Sequence, residues 1–201
     1  MSDIRIPTQK RSIEKRNKII EKGFELMCKN GYHKTNTSDI ADYAGVSTGI
    51  IYQYFNDKKE ILIEGIKMYS DTIMFPLLNI LDKEQIKIDN MEDMLNRLID
   101  EFIKVHTVSK KSHEEMMAMS HLDDDIAEIF HEREMMLTDK IINLLEYNGI
   151  KGNNMKEKVH IISGLVENLC HEIVYHKHSC INYDAMKKET IKIIINILKK
   201  D

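Results

Sequence analysis

Nine histidines and three cysteines are the side chains of this 201-residue sequence best suited to metal or proton chemistry. His160, Glu167, His171 and His178 fall at steps of seven, four and seven, which on a helix places them along one face. Glu167 and His171, one turn apart, have the spacing of a metal-ligand pair or of a pH-sensitive pair. Structural hydrogen bonding or plain solvation accounts for such a stripe more often. No metal and no cofactor is therefore assigned, and these four residues stand only as candidate ligands.

Hydrolytic chemistry finds less support. His113-Glu114, His131-Glu132 and His171-Glu172 each begin like H-E-x-x-H, but Met117, Met135 and Tyr175 stand where the second histidine is required. There is no G-x-S-x-G, Walker loop or dinucleotide fingerprint. Cys28, Cys170 and Cys180 are odd in number and form no C-x-x-C pair, which supports neither a disulfide framework nor a zinc ribbon. No enzyme is expected, and cysteine usage points to the cytosol.

A different chemistry is concentrated near the N-terminus. Lys10, Arg11, Lys15, Arg16, Lys18 and Lys22 crowd the early chain, and residues 1–70 carry 12 Lys plus Arg against 9 Asp plus Glu. The remainder carries 17 against 24, from totals of 29 and 33. A basic segment can approach phosphate, whereas an acidic one is repelled by nucleic acid, so two functions in one chain are plausible. A solvated helix face would also explain a basic run alone.

The elements that must position these residues read as helices. With 2 Pro, 8 Gly and 31% charged residues, the composition suits an all-α fold. No uncharged apolar run approaches the roughly 18 residues needed to span a bilayer, so no membrane partner is expected. Ile13, Ile19, Ile20, Phe24 and Met27 define a first helix over 12–30, stopped by Asn30-Gly31. Asn36 with Asp39 three residues on caps a short second helix ending at Gly45. Gly45-Val46-Ser47 makes a tight turn, Ser47 caps a third helix over 48–55, and Asn56-Asp57 caps a fourth beginning at Lys58. Pro76 should kink or end that fourth helix. Further helices are expected over 90–106, 113–120, 124–147, 155–178 and 183–200, with Asp123, Asp124 and Asp125 marking a helix start.

Two brief helices flanking a glycine turn are the sequence form of a helix-turn-helix, whose second helix offers its first residues to base edges in the major groove. Ile40, Ala41, Ala44, Val46, Ile51 and Phe55 are apolar where the pair must pack. Thr37, Ser38, Thr48, Gly49, Tyr52, Gln53, Tyr54 and Lys58 remain for an outer face.

Thr37-Ser38-Asp39-Ile40-Ala41, Ala44-Gly45-Val46-Ser47, Gly49-Ile50-Ile51-Tyr52-Gln53-Tyr54-Phe55 and Lys58-Lys59-Glu60-Ile61-Leu62 together resemble the TetR family of transcriptional regulators. The resemblance covers residues 12–65 and no motif beyond residue 70. It implies an all-helical homodimer, with a helix-turn-helix DNA-binding domain over 1–70 and a ligand-binding and dimerisation domain over 71–201. It implies a palindromic double-stranded DNA operator and an unidentified small-molecule effector that releases it. Carried over by position, Thr37 and Ser38 would hold phosphates at a helix start, and Thr48, Gly49 and Ile50 would read bases. Gln53 would pair with adenine, Tyr52 and Tyr54 would reach phosphates while their rings pack, and Lys58 would clamp a phosphate. The family often has a basic residue where this chain has Thr48, so a strong guanine contact is not supplied there.

Thirteen methionines is a high count. Met68, Met94, Met117 and Met135, with Phe75, Phe102 and Phe130, are candidates to line an apolar ligand pocket, although an ordinary core would use the same residues. In the last helix Ile191, Ile194, Ile195 and Leu198 form one stripe, and Met186, Ile193 and Ile197 another. A helix apolar on two sides is buried on two sides. The last two helices are therefore expected to pair with their symmetry mates as a four-helix bundle, through Leu169, Ile173, Ile191, Ile194, Ile195 and Leu198. The competing class is a helical metal- or small-molecule-binding protein without DNA-binding activity.

Overall fold

The computed structural model describes residues 7–73, 75–81, 86–108 and 110–199, and among them every regular element is helical. In chain order these are α1 (Lys10–Asn30), α2 (Thr37–Ala44), α3 (Thr48–Tyr54), α4 (Lys58–Ile73), α5 (Pro76–Leu81), α6 (Met91–Val108), α7 (Lys110–Leu122), α8 (Asp124–Tyr147), α9 (Met155–Val174) and α10 (Tyr183–Lys199). Pro76 does not bend a continuous helix: it opens α5, where its fixed φ and missing N–H are tolerated.

The chain divides into two compact units, Met1–Asp71 with Lys111–Ile129, and Thr72–Lys110 with Phe130–Asp201. This differs from the expected division at residue 70, because residues 111–129 belong with the N-terminal helices. Met116 and Met119 of α7 and Ile126 of α8 are buried, Glu115 accepts from the main-chain N–H of Tyr32, and Lys59 pairs with Asp123 at 2.7 Å.

In the first unit, α1 buries Ile19, Ile20, Phe24 and Met27 of the stripe its spacing predicts, whereas Ile13 is 41% exposed. Gly65 of α4 lies against α1, where a Cβ would fall 2.7 Å from Cβ of Phe24. In the second unit, Leu95 and Ile99 of α6, Leu169 of α9, and Ile191 and Ile194 of α10 form one core cluster, with Met94, Ile173, Ile195 and Leu198 packed against it. Leu77, Leu78, Phe102, Leu137 and Cys170 form another, with Phe75 against it.

These clusters bear on two expectations. Leu169, Ile191 and Ile194 are 0–2% exposed within one chain, so they hold the second unit together rather than meeting a partner. On the other stripe of α10 Ile193 is 47% exposed, whereas Met186 packs against the first cluster. The expected pocket residues come together only in part, since Phe75 packs against the cluster that holds Phe102 and also meets Phe130. Met68 is 47% exposed, Met94 and Phe102 belong to different core clusters, Phe75 and Phe130 meet edge to face at 6.0 Å, and Met117 and Met135 are half-buried.

Candidate nucleic-acid interface

The helix-turn-helix is fixed by local hydrogen bonds that the sequence encodes directly. Asn36 Oδ1 accepts from the main-chain N–H of Asp39 and Asp39 Oδ2 from that of Asn36, both at 2.9 Å, closing a reciprocal box at the start of α2. Gly45 takes φ 68°, a left-handed conformation, while the N–H groups of Gly45 and Val46 donate to Asp42 and Ala41. Ser47 occupies the position before α3, but its side chain makes no capping bond.

Ile40, Ala41 and Ala44 of α2 and Ile51 and Phe55 are buried, as the packing pattern requires. On the opposite side Gly49, Tyr52 and Gln53 are exposed, Tyr52 by 50%, while Thr48 and Ile50 are half-buried. Ser38 is exposed and Thr37 half-buried at the start of α2. Tyr54 departs from its expected role: at 5% exposure its ring belongs to the core. It stands three residues after Ile51, on the same inward stripe, a helical signal that was already available in the sequence.

Lys58 is partly occupied inside the unit. Its ammonium donates to the carbonyls of Tyr32 at 2.6 Å and Thr35 at 2.8 Å, and lies over the Tyr32 ring. An ammonium carries three donors, so one remains. The basic cluster on α1 is likewise only partly free. Arg16 pairs with Glu64 at 2.7 Å and covers the Phe55 ring, and Lys22 pairs with Glu21 and Glu25. Hydrogen bonding to Glu25 and then Glu21 holds the Lys22 ammonium above its ordinary range, and Lys22 holds the Glu25 carboxyl below its own. Lys10, Arg11, Lys15 and Lys18 are exposed.

The helical topology, with the capped α2, the left-handed Gly45 turn and the outward start of α3, is matched in sequence. The family model for bacterial regulatory proteins of the tetR family fits residues 19–64, from α1 into α4. Over residues 19–64 the chain is similar to the tetR family. The chain is 46% identical over 59 residues, 29% of its length, to the HTH-type transcriptional regulator HbdR of Aromatoleum sp. (strain CIB). It is 47% identical over 49 residues, 24% of this chain, to a fatty acid metabolism regulator protein of Bacillus subtilis (strain 168). The matches span 26% and 25% of those two relatives, about a quarter of each. At the level of fold, a Mesorhizobium loti MAFF303099 protein assigned to the TetR-family transcriptional regulators superposes with a TM-score of 0.72. That match has 18% identity and covers 94% of this chain and 98% of the other.

The second unit contains a separate group of ionisable side chains. Glu167 Oε1 lies 3.1 Å from His171 Nε2 and 3.3 Å from His106 Nε2. The sequence stripe therefore holds only in its middle. His160 is exposed and pairs with Glu134 at 3.3 Å, and His178 is exposed and lies 3.7 Å from Glu172. The residue that joins Glu167 and His171 instead is His106 of α6, 1% exposed, which the helical spacing of α9 could not reveal. Burial pulls the His106 ring toward its neutral form, but the Glu167 carboxylate and the Phe102 carbonyl outweigh it and leave its pKa raised.

Proposed function

We propose that this chain is a one-component transcriptional regulator acting as a repressor in the cytoplasm. Two copies pair as a homodimer, the two α3 helices enter successive major grooves of a palindromic double-stranded DNA operator about 34 Å apart, and a small apolar or amphipathic effector taken up by the second unit releases the DNA. The observation that carries this reading is the two-sidedness of α3: Gly49, Tyr52 and Gln53 face outward from a helix whose other side, Ile51 with Tyr54, is sealed in the core. Thr37 and Ser38 at the start of α2 and the remaining donor of Lys58 serve phosphates; Thr48, Gly49, Ile50 and Gln53 serve bases.

The exposed stripe of the last two helices, Ile161 of α9 and Ile193 of α10, supports the pairing of copies, since these are 55% and 47% exposed. Effector and operator select different spacings of the two DNA-binding units, so each weakens the other's binding by the same factor.

Selection of bound duplex from a random pool tests the reading. The expected result is a palindrome whose affinity falls steeply with salt. Screening compounds for release of that duplex then identifies the effector. Absence of any bound duplex at low ionic strength would refute the DNA-binding role.

A further inference from the structure

The His106, Glu167 and His171 group lies wholly within the second unit, and one donor atom from each comes within 4.8 Å of the others. Glu167 and His171 are one helical turn apart on α9, and His106 is brought to them by α6. The Nδ1 of His106 lies 2.8 Å from the carbonyl oxygen of Phe102. A carbonyl cannot donate, so that nitrogen carries the hydrogen. The neutral ring then turns a lone pair on Nε2 toward Glu167 Oε1, an acceptor facing an acceptor across 3.3 Å. Only a proton or a cation between them makes that contact favourable.

Several features favour a cation. A backbone carbonyl that fixes the tautomer of a buried imidazole is the usual outer support of a metal-ligating histidine. Bonds of about 2.0–2.2 Å from zinc to nitrogen and oxygen place tetrahedral ligand atoms about 3.3–3.5 Å apart. The contacts of 3.3 and 3.1 Å around Glu167 Oε1 lie close to that edge. Two imidazoles and one carboxylate suit borderline divalent ions rather than calcium or magnesium. The side chains of Glu167 and His171 are 37% and 29% exposed. Cys170 is not a ligand, because its side chain belongs to an apolar cluster.

We infer that His106, Glu167 and His171 form a three-ligand site for a zinc-class divalent transition-metal ion. The inference stands apart from the DNA-binding reading, since metal uptake is measured without DNA.

The test is titration of the chelator-stripped full-length protein with Co2+, followed by visible absorption, and then displacement by Zn2+. One Co2+ per chain is expected, with ligand-field bands of low coordination number that Zn2+ abolishes. Glu167→Gln and His171→Gln should each weaken binding by more than the roughly 10–100-fold that loss of an outer-shell partner costs. His160→Gln, on an exposed residue outside the group, should bind as the unaltered protein does. Circular dichroism establishes that each variant keeps its helices, and the stoichiometry of the unaltered protein decides the matter should one fail to fold. Failure of the unaltered protein to bind Co2+, or binding lost in His160→Gln and retained in Glu167→Gln and His171→Gln, overturns the site and leaves a proton-bridged triad.

Discussion

The ammonium of Lys58 lies 2.6 Å from the carbonyl oxygen of Tyr32 and 4.2 Å from the centroid of the same residue's ring. With Thr35 as its second acceptor, this side chain ties the start of α4 to the connection between α1 and α2. Lys58→Met keeps the aliphatic stem and removes the donors. It should lower stability by about 1–3 kcal/mol, the range for hydrogen bonds to charged groups, as measured by urea denaturation. Affinity for specific and random duplexes should fall together, with the salt slope reduced by about one. Unchanged stability would mean the two carbonyls find other donors at no cost.

Gln53 is exposed on the outer face of α3. Gln53→Ala should leave folding unaltered and relax base preference at one operator position by about 1–3 kcal/mol. Competition between single-base variants of the selected duplex measures this. Equal losses on operator and random DNA would reassign the residue to backbone contacts.

Gly65 and Phe24 provide a prediction of sign. In an open helix, alanine is more favourable than glycine by about 0.8–1.0 kcal/mol. Here the added methyl would meet Cβ of Phe24 at 2.7 Å, an atom that moves only with the α1 backbone. Overpacking of that kind costs about 1–3 kcal/mol, so Gly65→Ala should destabilise the protein despite its gain in propensity. A raised melting temperature would contradict the close approach.

Lys59 and Asp123 give a dependence on acid. The hydrogen bond from Lys59 holds the Asp123 carboxyl below the usual range against the opposing effect of burial, helped by the N–H groups of Ile126 and Asp125. A depressed folded value means that the stabilisation is present above the unfolded value of about 3.9 and is lost as pH falls through the folded one. Asp123→Asn keeps an acceptor for the start of α8 and removes the charge. The stability difference between the two proteins should be constant near neutral pH and close below about pH 4. A difference that persists in strong acid would assign it to packing.

Thiol reactivity should separate the three cysteines. Burial pushes Cys28 and Cys170 up to about 12, whereas Cys180 is exposed. Because the thiolate is the reactive form, an aromatic disulfide reagent should titrate one fast thiol per native chain and all three after unfolding. Three fast thiols in the native protein would contradict the burial.

What was legible in the sequence was what a few adjacent residues decide. Asn36 with Asp39 and Gly45 with Val46 each act within four residues, and each does what its chemistry dictates. Less legible was the choice between two equally apolar sides of one helix. Ile191 and Ile193 are alike in type, and only the tertiary presence of Leu95 and Ile99 decides which turns inward. His106 and Glu167 are 61 positions apart, and nothing in the spacing of either helix joins them. Residues 111–129 carry no mark of the unit they complete, because Glu115 meets Tyr32 across 83 positions.

At seven residues, α3 falls well short of the roughly 12–15 at which a solitary helix persists in water. Its shape is thus borrowed from its surroundings. A fragment holding only α2 and α3 would be coil, and its recognition surface would dissolve with it. Damage at Phe24 or Ile61, which no nucleotide would ever touch, can therefore blunt sequence discrimination as surely as damage at Gln53.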